Sequence, residues 1–307
     1  MKYALGIDIG GTKVATGIVD DRGQVLARES LPTDLSIPPI DMVARIAEGA
    51  ERLMEAHRLE REHVVGVGIG APGPLDQAGG RITCPPNLPN WRDFPLVEEL
   101  NKHLDTTIVM ENDATAATLA EHWIGAAQGS SNFIYVTIST GIGTGIFMNG
   151  KLLTGASGNA GDAGHIVIDP SQGTCACGQK GCWEWVASGT AIARMASTIL
   201  NRSTTTQEAF ELALDSSEHP KLTEMIEQVF TYIGMGCVSL INTLDPQKIV
   251  IGGGVSQVGE PLFQAVREYV SRLALNPTGR NTEIVPAALQ QDVGLIGAAA
   301  LVHVKYR

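Results

Sequence analysis

A short, dense run of apolar residues opens the chain, "YALGIDI" at residues 3 to 9, and it ends on an aspartate and the turn "GGTK". Seven residues are too few for a two-faced helix, and the flanking glycines bound the run, so it predicts a buried strand. "VATGIVD" and "QVLARES" follow, separated by the turn signal "DDRG", and complete a meander of three strands. The period then changes. Ile40, Val43, Ile46, Ala47, Ala50, Leu53 and Met54 recur at helical spacing over residues 39 to 58. "VVGVGIG" is another buried strand, running into the Gly/Pro loop "APGPLD" and then "CPPNLPNW". A helix around "FPLVEELNKHL", the strand "TTIVME" and the helix "DATAATLAEHW" close this half.

The pattern then restarts. "SNFIYVTIS" runs into the glycine turn "TGIGTGI", and "FMNGKLL" continues as strand and turn. Helices are predicted near residues 190–199, 205–214 and 221–242. The strand "KIVI" enters "GGGV", and a helix near 260–273, the strand "TEIVP" and a closing helix from about 292 complete the chain. The run "RSTTTQ" at residues 202 to 207 reads as a surface helix start. Both halves share one order of elements: strand, glycine turn, two strands, then helix, strand and helix. That predicts an α/β protein with a mixed sheet in each half, related by a weak internal duplication.

Bulk properties restrict the function classes. The 307 residues suit two lobes better than one, and 44% hydrophobic with 18% charged residues is an ordinary globular composition. No apolar run approaches the ~18 residues of a membrane span. "MKYALGIDIGG" reaches an aspartate too early for a signal-peptide core, so the expected location is the cytoplasm. A net charge of −11 argues against a nucleic-acid partner, whose phosphates need a basic face. An odd count of five cysteines in a reducing compartment argues against a disulfide framework.

Three of those cysteines crowd into "GHIVIDPSQGTCACGQKGCWE". Cys175, Cys177 and Cys182 form C-x-C-x4-C among Gly173, Gly178 and Gly181, ten residues after His165 and just before Glu184. Such a loop can wrap a single ion, and three thiolates with one imidazole make a closed tetrahedral zinc set. Buried thiols are the competing reading, but so glycine-rich a loop offers little core. A closed site is structural, so the metal itself should do no chemistry.

Other motifs are less specific. In "DIGGTK", Gly10 and Gly11 let backbone amides approach a phosphate, Thr12 and Lys13 add donors, and Asp8 can hold a hydrated Mg²⁺. Alone it is equally a polar hairpin turn. "STGIGTG", with Thr140, Gly141 and Gly143, repeats the design, and "IVIGGGVS" brings Gly253 and Gly254 after a strand. None is a Walker or dinucleotide fingerprint, but three such turns suit a nucleotide held between two lobes. In "MENDATAA", Asp113 ends a strand and can accept a proton from a hydroxyl. The residues by themselves favour a plainer role, Asp113 as a helix N-cap with Asn112 in the turn. "PPNLPNW" presents Asn87 and Asn90 on a rigid loop, though composition does not single out Asn87.

Together these motifs resemble the ROK family of sugar kinases, named for repressors, open reading frames and kinases. The resemblance runs from "DIGGTK" to the closing helix and is most specific from Gly161 to Glu184. It implies a two-lobed actin-like ATPase (ribonuclease H-like) fold. Residues 1–117 with 292–307 would form the small lobe, and 118–291 the large lobe carrying the zinc loop. It implies Asp113 as general base on the 6-hydroxyl of a hexose, with Asn87, Asn112, Asp162, His165 and Glu184 around the other hydroxyls. His165 would bond zinc through one ring nitrogen and the sugar through the other. "DIGGTK" and "STGIGTG" would hold the phosphates of ATP, "GGGVS" would lie near the adenosine, and Asp8 near Mg²⁺. The "CxCGxxGCxE" form points to glucose as acceptor, with N-acetylmannosamine, N-acetylglucosamine, mannose, allose and fructose as alternatives, and polyphosphate as an alternative donor. A homodimer or homotetramer is the expected assembly. A sugar-sensing repressor of the same family would need a helix-turn-helix ahead of residue 8, and a filament or chaperone ATPase would lack the zinc loop. Three residues depart from the family pattern: Asp162 stands for the usual glutamate, Thr144 for a glycine and Thr115 for an asparagine.

Overall fold

In the computed structural model, which describes residues 2–215 and 218–304, the hydrophobic runs pair as two sheets of equal design. Met1 and residues 305–307, the last of the expected closing segment, lie outside the described residues.

The first sheet begins with the predicted meander, β1 (Tyr3–Ile9), β2 (Lys13–Asp20) and β3 (Val25–Pro32), antiparallel throughout. β3 alternates partly buried and exposed residues, as an edge strand covered on one face does. α1 (Pro39–Ala56) buries the helical stripe from Met42 to Met54. β4 (Val64–Ala71) then joins β1 in parallel. The hairpin of β5 (Leu75–Asp76) and β6 (Arg81–Ile82), α2 (Leu96–Asn101) and β7 (Ile108–Asn112), parallel to β4, lead into α3 (Asp113–Trp123). The strand order is β3-β2-β1-β4-β7.

The second sheet contains β8 (Phe133–Ile138), β9 (Ile142–Met148) and β10 (Lys151–Leu152). A helical run follows: α4 (Trp183–Ala187), α5 (Gly189–Leu200), α6 (Thr206–Asp215) and α7 (Pro220–Leu244). β11 (Lys248–Gly252), α8 (Glu260–Leu273), β12 (Glu283–Pro286) and α9 (Val293–His303) complete the chain. Its order, β10-β9-β8-β11-β12, repeats the first sheet position for position, with β8, β11 and β12 parallel. The duplication read from the sequence is therefore a duplication of topology.

Three local readings change. The β5–β6 hairpin was not predicted, because strands of two residues carry no period. The run "TGIGTGI" is a turn only at Thr140 and Gly141. Ile142, Thr144 and Ile146 are buried at period two, so β9 starts at Ile142 and Gly143 is a strand residue. The five-residue α4 also went unread.

The chain divides into two compact units. One comprises residues up to 129, 145–161 and from 288 onward; the other comprises 130–144 and 162–287. The first unit thus keeps the whole of α3, where the expected small lobe ended at residue 117. The reason is packing. α9, rich in Gly and Ala, lies against β1, β4 and α3 at backbone contact. A Cβ on Gly6 would stand 2.4 Å from the Leu295 carbonyl oxygen, and one on Gly68 would stand 1.7 Å from that of Ala298. The buried Glu121 of α3 adds to this, accepting the amide hydrogens of Ala288 (3.2 Å) and Leu289 (2.9 Å) just before α9. No described helix is long and apolar enough to cross a membrane.

The contact between α9 and β4 is directly testable. Gly68→Ala must push α9 off the sheet, so it should destabilise the protein by about 3 kcal/mol in urea unfolding. An unchanged midpoint would show that α9 can shift freely on β4.

Candidate active site

In the first unit, parallel pairing sets neighbouring strand ends side by side. Asp8 of β1 is level with Gly70 of β4, and Ala71 of β4 is level with Asn112 of β7. Gly70 has no side chain to stand between them. Its Cβ position is 3.9 Å from Asp8 Oδ1 and 3.7 Å from the Cα of Asp113. The carboxyl groups of Asp8 and Asp113 therefore feel each other. Burial, then repulsion by Asp113, pushes Asp8 up to about 6, against a smaller pull from Lys13. Asp8 also faces the first turn of α9, where a Cβ on Gly294 would stand 2.2 Å from Oδ2.

The N-cap of α3 is Asn112, not Asp113. Its Oδ1 accepts from the amides of Ala114 (3.0 Å) and Thr115 (3.2 Å). Asp113 is the exposed first helical residue, with Oδ1 accepting the Ala114 amide at 2.7 Å. Asn87 is exposed because its neighbours are not: Leu88 and Trp91 are buried and anchor the loop. Asn87 lies against Gly11, whose Cβ position is 2.9 Å from that of Asn87. The Gly10–Thr12 turn closes by a bond from the Gly10 amide to the Lys13 carbonyl (2.9 Å).

In the second unit the four residues expected to bind zinc converge. The ligand atoms of His165, Cys175, Cys177 and Cys182 all lie within 4.8 Å of one another. Cys177 and Cys182 sulfurs are 3.4 Å apart, and His165 turns Nδ1 to Cys175 at 3.7 Å, leaving Nε2 as its other nitrogen. Burial pushes Cys175 up and Cys182 up to about 12, while the Gln179 amide draws Cys177 down to about 7. Thiolates this close are held as such only around a cation, so the donor set fits zinc. Asp169 braces the loop. Hydrogen bonds from Ser171 (Oγ 2.6 Å) and from Tyr232 Oη of α7 (2.6 Å) hold its carboxyl well below the usual range.

Asp162 is exposed and its carbonyl accepts the His165 amide at 3.0 Å, shaping the turn that carries the imidazole. Glu184, on α4 directly after Cys182, accepts the Ile142 amide through Oε2 at 2.9 Å.

The same unit contains a cavity of about 1040 Å³. Parallel pairing puts Gly252 of β11 beside Thr137 of β8, so both strands end at one edge, where α/β sheets bind ligands. Ser139 and Thr140 after β8, and Gly254 and Val255 after β11, line it. Gly253 has φ +86°, and a Cβ there would stand 2.4 Å from the Ile138 carbonyl oxygen, so glycine alone serves. The start of α5 (Gly189, Thr190), Thr204 to Thr206, and Phe210 and Glu211 of α6 also line it. Sequence reasoning missed these. The hydroxyl run in "RSTTTQ" was the available signal, and it reads equally as a surface helix start. Gly143 is not among the lining residues.

The ROK family model matches residues 4–305. The glucokinase of Halalkalibacterium halodurans is 33% identical, covering 98% of this chain and 95% of that protein. The N-acetylmannosamine kinase of Haemophilus influenzae is 35% identical, covering 96% and 93%. A crystal structure of a ROK family glucokinase from Streptomyces griseus, in complex with glucose and AMPPNP, matches with a TM-score of 0.82 at 32% identity, covering 97% of this chain and 98% of that one. This chain belongs to the ROK family.

Two measurements test the site. Elemental analysis should find one zinc per chain, retained in Cys84→Ser, whose thiol is exposed and outside the cluster, and lost in Cys177→Ala. Metal-free protein with an intact, equally stable loop would overturn the zinc assignment. Asp8 supplies the second. With its folded pKa raised from 3.8 to about 6, its contribution to stability is complete below pH 4 and is lost as pH rises through 6. Asp8→Asn should therefore raise Tm at pH 7.5 relative to the wild type and not at pH 4. An equal effect at both would show that Asp8 is not strained.

Proposed function

We propose that this protein is an ATP-dependent hexokinase that phosphorylates glucose at the 6-hydroxyl, with Asp113 as general base. The observation that carries the reading is a pair of acids at neighbouring strand ends, Asp8 and Asp113, which both border Gly70 and whose charges repel. Two acids so placed divide into two roles: the exposed Asp113 for a proton, the more enclosed Asp8 for a hydrated cation. Asn112, not Asp113, is the helix N-cap. The 6-hydroxyl gives its proton to Asp113 as its oxygen bonds the terminal phosphorus, and the bond from that phosphorus to its bridging oxygen breaks.

Asn87, Asn112, Asp162, His165 and Glu184 hold the remaining hydroxyls, with Nε2 of His165 available because Nδ1 faces the thiols. Gly10, Gly11, Thr12 and Lys13 take phosphate, as do Thr140 and Gly141. Mg²⁺, bound near Asp8, supplies neutralisation of the donor's phosphate charge. The cavity beside Gly253 and Gly254 takes the adenosine. Its lining contains no Lys or Arg, which favours a nucleotide over polyphosphate, since a bare polyanion needs cations along its length.

A second acceptor is favoured by one observation. Asp162 is a methylene shorter than glutamate, roughly a bond length, which leaves room beside C2 of the sugar. N-Acetylmannosamine, the substrate named for a relative of 35% identity, differs from glucose at that carbon.

Initial rates with ATP and Mg²⁺ over glucose, mannose, N-acetylglucosamine and N-acetylmannosamine test both readings. Glucose should lead in kcat/KM by about tenfold, and Asp113→Asn should lower kcat by ~10²-fold with sugar binding retained. If N-acetylmannosamine leads and Asp162→Glu returns the advantage to glucose, the second reading replaces the first. Near-normal kcat in Asp113→Asn removes Asp113 as the base.

A further inference from the structure

The turn that follows β8 is held by the residues that flank the zinc donors. The amide of Ile142 donates to Glu184 Oε2 at 2.9 Å. A Cβ on Gly141 would stand 2.3 Å from that same oxygen, so the carboxylate fits only because residue 141 has no side chain. The Ile142 carbonyl oxygen lies 2.1 Å from where a Cβ on Gly164 would stand, one residue before His165. On its other flank the turn opens to the cavity, which Ser139 and Thr140 line, and the Ser139 carbonyl accepts the Gly189 amide of α5 at 2.7 Å. Oε1 of Glu184 accepts no hydrogen bond from the described residues.

We propose that Glu184 is a positioning residue that couples acceptor to donor binding, with one carboxylate oxygen for a sugar hydroxyl and the other holding the backbone of the donor turn. The proposal rests on the hexokinase reading. A glutamate side chain has several rotatable bonds, and its bond to a single amide is only modestly favourable against that freedom. A hydroxyl donating to Oε1 removes the freedom and so fixes the Ile142 amide and the turn at Thr140. The nucleotide then meets a turn already ordered, and by linkage it strengthens sugar binding by the same factor. A purely structural Glu184 would stabilise the turn equally with and without sugar.

The test is the affinity of zinc-loaded protein for Mg²⁺–AMPPNP by calorimetry, with and without saturating glucose. In the wild type, glucose should tighten AMPPNP binding by about fivefold or more. In Glu184→Gln, the ratio should fall below about twofold. Gly141→Ala should do the same by displacing the Glu184 carboxylate from the turn while every zinc ligand and residue 184 itself stay unchanged, so it decides the question if Glu184→Gln fails to fold or to bind sugar. Tight binding of both ligands at a wild-type ratio of one, or a wild-type ratio retained in Gly141→Ala, overturns the coupling and leaves the hexokinase reading standing. Failure of every hexose to bind the wild type overturns both.

Discussion

Parallel register is the constraint on which both halves of this molecule depend. Strands that run the same way finish at one edge, and whatever follows each strand gathers there. In the first sheet this puts Asp8, Gly70 and Asn112–Asp113 in a row. The arrangement costs free energy, since burial first and the neighbouring Asp113 second drive Asp8 up to about 6. Folding does not need that cost. A site kept under such tension suits a cation or a proton arriving from outside.

The second sheet uses the same geometry with no acid at these strand ends. Its parallel strands end in Ser139–Thr140 and in Gly253–Gly254, and the result is a cavity lined mainly by hydroxyls, backbone and apolar groups, with Glu211 at its α6 side. The duplicated topology has thus been used for two chemistries, a carboxylate pair in one unit and a roomy, hydroxyl-rich pocket in the other. The cysteine loop belongs to the second unit and does not rest on its His–Cys cluster alone. Asp169 ties it to α7 through Tyr232, and Glu184 ties its end to the backbone of β9.

Much of this was legible in the residues. The strands of both sheets announce themselves as apolar runs bounded by glycine, and the spacing of His165, Cys175, Cys177 and Cys182 states a metal site in one short stretch. Those signals are local, so a linear reading finds them. "MENDATAA" shows where linear reading stops: capping rules fit Asp113 as well as Asn112, and only the backbone angles and amide contacts give the cap to Asn112. The zinc donors, although close in sequence, also needed the fold to show which ring nitrogen of His165 meets the sulfurs.

By itself, then, the sequence determined the α/β class, the order of elements, the repeated design of the two halves and the membership of the metal cluster. Each is encoded in periodicity or short spacing. Tertiary structure alone decided what depends on distant segments coming together: Thr190, Thr204, Phe210 and Gly254 around one cavity, Glu184 against Ile142, Asp8 and Asp113 beside Gly70, and α9 against β4 at Gly68. No period or motif records those approaches, because each is set by strand register and helix packing, which sum over contacts along the whole chain.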